Sequence, residues 1–507
     1  MVPEIPQPTP RELILVAEPE AGLRARREKI ISVVGAEIEP LVGLLASVEA
    51  TMRPLFGVSE EWLKRRMTPS TNILMDGGQA PDLSIFYKIT APDHLLEWLT
   101  PRLRELSTVK AAYIKPGAEP PIIDHGIELS DGLDPGEITG DFSEFQVYLN
   151  PAAEGGIDVC SAWEMEGGRG AGVNIVDVEG AWRFSHEDLL ENQSGVIGGI
   201  PIAKRGWRNH GTAVIGIISG DPNDFGITGI CPDANLRAIS VFGDSAGGPV
   251  AGWSSAAAIR LAADALQPGD IMLIELHRPG PRANFKERDD ERGYIPVEWW
   301  PCDMAAIRYA TSRGIIVVEA GGNGNQNLSD DIYDQNPTFP NGPFPAEWRN
   351  PFRRDPIDTG AILVGAGAPP LGINGSNFGP ARSRMRFSNF SSGDNIIMDT
   401  QGWGEEVATC GYGGLSQNNP DEDRWYTRRF NGTSSAAPMI AGALGCLQGA
   451  LKARGQLLTP TRARELFRTI GSEQQDAPQD GLNSVESHRI GPLPDLRRML
   501  DILIPPP

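Results

Sequence analysis

Four residues far apart in the chain have the types that acyl-transfer chemistry needs: Asp177, His210, Asn323 and Ser434. Ser434 lies in Phe430-Asn431-Gly432-Thr433-Ser434-Ser435-Ala436-Ala437-Pro438, a small-residue turn followed at once by Met439, Ile440, Ala441, Ala443, Leu444 and Leu447. That spacing predicts a helix, and Pro438 fits its first turn, where a missing N–H costs nothing. Ser434 is therefore expected at a helix N-terminus, where free N–H groups and the positive dipole end would stabilise an oxyanion. A serine nucleophile needs a base, the base needs a carboxylate to fix its tautomer, and the oxyanion needs donors. Taken singly, each residue has a plainer reading as a helix cap, a turn residue or a core histidine. The case rests on the four together.

The elements that must position them can be read from the same sequence. Val173-Asn174-Ile175-Val176-Asp177 predicts a buried parallel strand with Asp177 at its carboxyl end, where α/β sheets bind ligands. Residues 209–218 read as a helix with His210 near its start. Strands over 236–241, 270–276 and 314–320 alternate with helices over 253–266 and 303–312, and Gly321-Gly322-Asn323-Gly324 closes the last strand. This alternation predicts a doubly wound parallel sheet. Residues 1–116 read as strand, helix, strand, strand, helix, strand, the order of a small ferredoxin-like α+β unit. Residues 117–141 form a linker rich in Pro, Gly, Asp and Glu, with a domain boundary and a site of processing expected there. Residues 142–507 make the main domain.

At 507 residues the chain is too long for one ordinary core. With 40% hydrophobic and 22% charged residues it has a globular composition. A formal charge of −21 argues against nucleic acid as a partner. The five cysteines, at 160, 231, 302, 410 and 446, show neither paired nor metal-binding spacing, which leans towards a reducing compartment. No secretory signal opens the chain and no apolar run reaches ~18 residues, so a cytoplasmic protein, or one exported by an unconventional route, is expected. The sequence leaves the oligomeric state open.

The order Asp, His, Ser is the subtilisin order, and the chain resembles the subtilisin-like serine peptidases (subtilases, peptidase S8). The resemblance is carried by Val173–Asp177 with His186-Glu187-Asp188-Leu189, by His210-Gly211-Thr212 and by Gly432–Pro438, with support from Gly226–Pro232 and Val317–Asn323. It implies an α/β fold, a doubly wound, mostly parallel sheet with flanking helices, preceded by an inhibitory ferredoxin-like prodomain. It implies Asp177, His210 and Ser434 as the triad, and Asn323 with the Ser434 N–H as the oxyanion hole. Substrate contacts fall on Gly247, Gly248, Glu275, Leu276 and His277. Glu275-Leu276-His277-Arg278 stands where the family usually reads Ser-Leu-Gly-Gly, and the Glu275 carboxylate would either favour basic substrates or lie buried against Arg278. Glu179 stands where the family often has glycine. A structural Ca²⁺ is implied at Asp188 and Asn223 with carbonyls of Asp221, Phe225 and Ile227, a solvated acidic loop being the alternative. Two insertions, 281–300 and 327–358, are expected as surface loops. The expected function is a serine endopeptidase made as an autoinhibited zymogen, its partners a protein or peptide substrate and its own N-terminal unit. The alternatives are a peptide ligase or cyclase, and a non-catalytic peptide binder.

Overall fold

The computed structural model describes residues 6–26, 29–67, 80–122, 139–243, 254–394, 396–415, 420–478 and 484–505. Its centre is a seven-stranded sheet in the order Thr400–Trp403, Ile362–Gly367, Ile316–Ala320, Ile271–Ile274, Asn174–Glu179, Asn235–Ser240, Gln193–Gly198. Every neighbouring pair is parallel. The inner strands are short and largely buried on both faces, as a sheet covered on both sides requires, while the edge strand Gln193–Gly198 is partly exposed.

Alternation along each strand divides the core in two. Ile175, Leu273 and Val318 face the helices Arg205–Ser219 and Thr433–Lys452. Val176, Met272 and Val317 face the helices Ser255–Ala265 and Pro301–Ser312. Each helix lies within a few residues of its sequence-based bounds. Pro438, however, sits in the second turn of its helix, not the first, so the Ser434 carbonyl four residues back loses its intrahelical donor.

The N-terminal region forms a four-stranded antiparallel sheet in the order Thr51–Pro54, Phe86–Thr90, Glu12–Ala17, Val109–Lys115. Helices Glu39–Ala46 and Leu96–Arg104 connect its strands. A hairpin, Leu23–Ala25 with Ile30–Ser32, and a helix, Glu60–Met67, were not legible in the sequence.

The two insertions differ from the surface loops expected of them. Trp299 and Trp300 are fully buried. They pack edge-on against Phe344 and each other, Trp299 meets Trp348 at 5.3 Å between ring centroids, and Tyr113 of the N-terminal sheet meets Phe344 at 4.9 Å. Burial of such large apolar area outweighs the polar composition of the flanking segments. No helix among the described residues is long and apolar enough to cross a membrane.

Candidate active site

Asp177 and Glu179 are two apart on one strand, so both side chains leave on the face of Ile175, towards the two helices that carry His210 and Ser434. Glu179 Oε1 lies 3.0 Å from His210 Nδ1. Asp177 Oδ2 instead accepts from the Trp182 indole at 2.6 Å. The expected placement of Asp177 beside the imidazole is therefore not what the structure has: the carboxyl at the strand's last residue, one methylene longer, is the one that meets the histidine. His210 is the sixth residue of its helix, and its ring packs edge-on to Phe430 at 5.4 Å. Burial pushes the Glu179 carboxyl well above its ordinary value. Burial likewise pushes the His210 imidazole down to about 3, with the Glu291 charge acting the other way.

Ser434 is the second residue of its helix, preceded by Gly432 at φ +86°, a backbone that favours glycine. Ser434 Oγ makes no well-aligned hydrogen bond among the described residues, and its polar neighbour is the Glu275 carboxyl. Burial raises Glu275 well above the carboxylate range, and the nearby Asp177 and Glu179 add to this. The alternative of Glu275 buried against Arg278 does not hold. Arg278 turns instead to Ser255 Oγ at 2.6 Å, to Asp303 at 3.6 Å and to the Pro116 carbonyl. Leu276 is core, and Gly247 and Gly248 lie outside the described residues.

Asn323 follows the Ile316–Ala320 strand. Its Oδ1 accepts from the Thr433 N–H at 3.0 Å and the Thr433 hydroxyl at 3.1 Å, which aims Nδ2 the other way. That amide donates to Glu291 Oε2 at 2.9 Å. Glu291 belongs to the 281–300 insertion and adopts φ +52°, a cost a non-glycine residue bears only when its surroundings hold it. Its Oε1 accepts from the Ile122 N–H at 3.2 Å, and Oε2 is 3.6 Å from His277 Nε2. Burial raises the Glu291 carboxyl to about 8 against the lowering effect of those hydrogen bonds. Nothing in residue type or spacing singled out Glu291. Glu179 was visible only as an unusual residue beside Gly180.

The chain's own residues lie along the strand that begins at His277. His277 N–H donates to the Glu119 carbonyl at 3.0 Å, and the Glu119 N–H donates to the His277 carbonyl at 3.3 Å, an antiparallel bridge. With that segment in place Ser434 and His210 have no exposed surface and Asn323 keeps 2%.

The residues expected to hold calcium come together, and in this structure their side-chain oxygens are paired with N–H groups. Asp188 Oδ1 accepts from the Asn223 side-chain amide and Oδ2 from the Ile227 N–H, both at 2.7 Å, and the Asn223 side-chain Oδ1 accepts from the Phe225 N–H. Asp221 accepts from the N–H groups of Leu190 and Glu191. N–H donors thus sit on the side-chain oxygens of Asp188 and Asn223, two of the oxygens a hard cation would use. Burial raises the Asp188 carboxyl to about 7. Among the described residues no group of three or more His, Cys, Asp or Glu is placed to hold a metal.

Residues 198–484, more than half of the chain, match the model of the subtilase family. That span contains His210, Glu275, Asn323 and Ser434 and begins beyond Asp177 and Glu179. The alkaline protease of Alkalihalobacillus alcalophilus is 26% identical over 54% of this chain and 53% of its own length, so the match spans about half of that relative. Subtilisin Savinase of Lederbergia lenta is 26% identical over 54% of this chain and 75% of its own. The crystal structure of the epidermin leader peptide processing serine protease (EpiP) from Staphylococcus aureus superposes with a TM-score of 0.53 at 16% identity, covering 98% of this chain and 100% of that one. At that identity the likeness speaks to the fold, and with the family match and the site it has one conclusion: the chain belongs to the subtilase family.

Proposed function

We propose that this protein is a serine endopeptidase held closed by its own N-terminal unit. The observation that carries this reading is the filled cleft: a buried Ser434, a Glu179–His210 pair and Asn323 lie under a segment of the same chain paired to the strand at His277. Ser434 Oγ is the nucleophile. His210 Nε2 takes its proton and returns it to the leaving amine, and Glu179 holds the Nδ1 proton and steadies the imidazolium. Asn323 Nδ2 and the Ser434 N–H, at the helix N-terminus, receive the oxyanion. Asp177 is engaged by the Trp182 indole and not by the imidazole.

The strand order of the N-terminal sheet supports a ferredoxin-like unit, and its last strand runs directly into the cleft, which supports a prodomain role. Residues 1–116 thus act as the inhibitory domain and residues 142–507 as the enzyme. A serine-directed fluorophosphonate probe tests the reading, applied to the wild type and to Ser434→Ala while both are followed by intact mass. Labelling or fragment release in the wild type alone is the expected outcome. Equal behaviour of the two proteins would overturn it.

A further inference from the structure

The segment in the cleft has a defined register, and the register names a bond. Upstream it is clamped on both sides. The Thr9 N–H donates to the Ala118 carbonyl at 2.7 Å and the Ala118 N–H to Thr9 Oγ1 at 2.9 Å, while Arg278 holds the Pro116 carbonyl. Glu119 then pairs with His277 through both of its backbone groups. Two residues further, about 7 Å along an extended chain, the Pro121 carbonyl oxygen lies against Gly432, two residues before the nucleophile. A β-carbon on Gly432 would collide with that oxygen and stand 3.1 Å from Asn323 Nδ2. The next residue, Ile122, donates its N–H to Glu291. Proline at 121 brings no N–H that would need an acceptor here, and the pair Pro120-Pro121 keeps the segment extended.

We propose that the bond between Pro121 and Ile122 is the one this site cuts in its own chain, and that the site accepts proline on the acyl side of the bond it breaks. The proposal rests on the serine-peptidase reading above. Ser434 Oγ attacks the Pro121 carbonyl carbon as its proton passes to His210. The C–N bond to Ile122 breaks with that proton delivered to the Ile122 nitrogen. Water, deprotonated by His210, then cleaves the Pro121 ester, restoring Ser434 and leaving a Pro121 carboxylate.

The resting geometry also restrains the cut. The peptide is trans, so its N–H and C=O point opposite ways. With the N–H on Glu291, and Glu291 taking one of the two Nδ2 hydrogens of Asn323, a carboxyl competes for the amide that the Pro121 oxyanion needs.

The test is N-terminal sequencing and intact mass of the full chain during incubation, wild type beside Ser434→Ala and Ile122→Pro. The expected result is a new N-terminus at Ile122 in the wild type alone. A Ser434-dependent cut at another bond overturns the proposal and leaves the peptidase reading standing. So does the absence of any cut in a protein that labels with fluorophosphonate at Ser434 or hydrolyses casein. Absence of cutting, labelling and hydrolysis together overturns both. In trans, the peptide Gly-Ala-Glu-Pro-Pro-Ile-Ile, matching residues 117–123, should be cut after its second proline by the released enzyme. Cutting elsewhere in it overturns the proline preference.

Discussion

At the scale of single residues, the site turns on which carboxyl serves the histidine. Glu179 and Asp177 share a strand face, but only Glu179 lies at 3.0 Å from His210 Nδ1. Glu179→Gln in the processed enzyme should lower kcat by about 10⁴-fold, the loss that follows when an amide forces the wrong imidazole tautomer. Asp177→Asn keeps an acceptor for the Trp182 indole and should cost far less. Steady-state kinetics on one peptide ranks the two, and a larger loss in Asp177→Asn would refute the assignment. Asn323→Ala should reduce kcat by about 10²–10³-fold with KM little changed, as removal of one oxyanion donor does.

At the scale of elements, the 281–300 insertion does what a loop of its composition does not announce. It buries Trp299 and Trp300 beneath the second insertion, and this anchoring carries Glu291 to the Asn323 amide and the Ile122 N–H. The insertion and the linker therefore hold the cleft together, one supplying the acceptor and the other the donor. Glu291→Ala should free Asn323 and speed appearance of the Ile122 N-terminus several-fold in a mass time course. A slower release would show that Glu291 assists the cut instead of delaying it.

At the scale of the whole molecule, the N-terminal unit is joined to the main domain by a buried charge network. Lys115 Nζ meets Glu12 at 2.8 Å and Asp303 at 3.3 Å, Lys88 meets Glu12 at 3.0 Å, and Arg278 reaches Asp303 at 3.6 Å. Both Lys115 and Asp303 are fully buried. Removing one partner strands the others, so Lys115→Ala should cost about 3–5 kcal/mol, read as a lower unfolding midpoint in a Ser434→Ala background that cannot cut itself. Burial alone would raise the Glu12 carboxyl, but the charges of Lys115, Lys88 and Arg278 outweigh it and hold Glu12 at about 2 against an ordinary 4.5. A depressed carboxyl stabilises the folded state above its unfolded value and loses that contribution as it protonates. Stability of the joined form should therefore fall between about pH 4.5 and 2, and Glu12→Gln should flatten that part of the profile in acid-unfolding experiments.

The sequence by itself determined the parallel sheet and the elements that carry His210, Asn323 and Ser434, because strands and helices declare themselves by local period; Asn323 and Ser434 sit beside boundaries that period marks, while His210 lies in the second turn of its helix. The N-terminal strands were legible for the same reason. The choice between Asp177 and Glu179 was not, since strand alternation puts both on one face and only the position of the Arg205–Ser219 helix selects between them. Glu291 reaches Asn323 across 32 residues of chain through an insertion held by aromatic packing, a contact with no local signature. The loop at Asp188 shows the same limit from the other side. Its residue types suit a cation, yet whether oxygens or N–H groups converge there depends on backbone directions that only the folded chain sets. The filled cleft, too, is a tertiary fact: a linker composition says where a chain can be cut, while pairing with His277 decides which of its bonds lies at the serine.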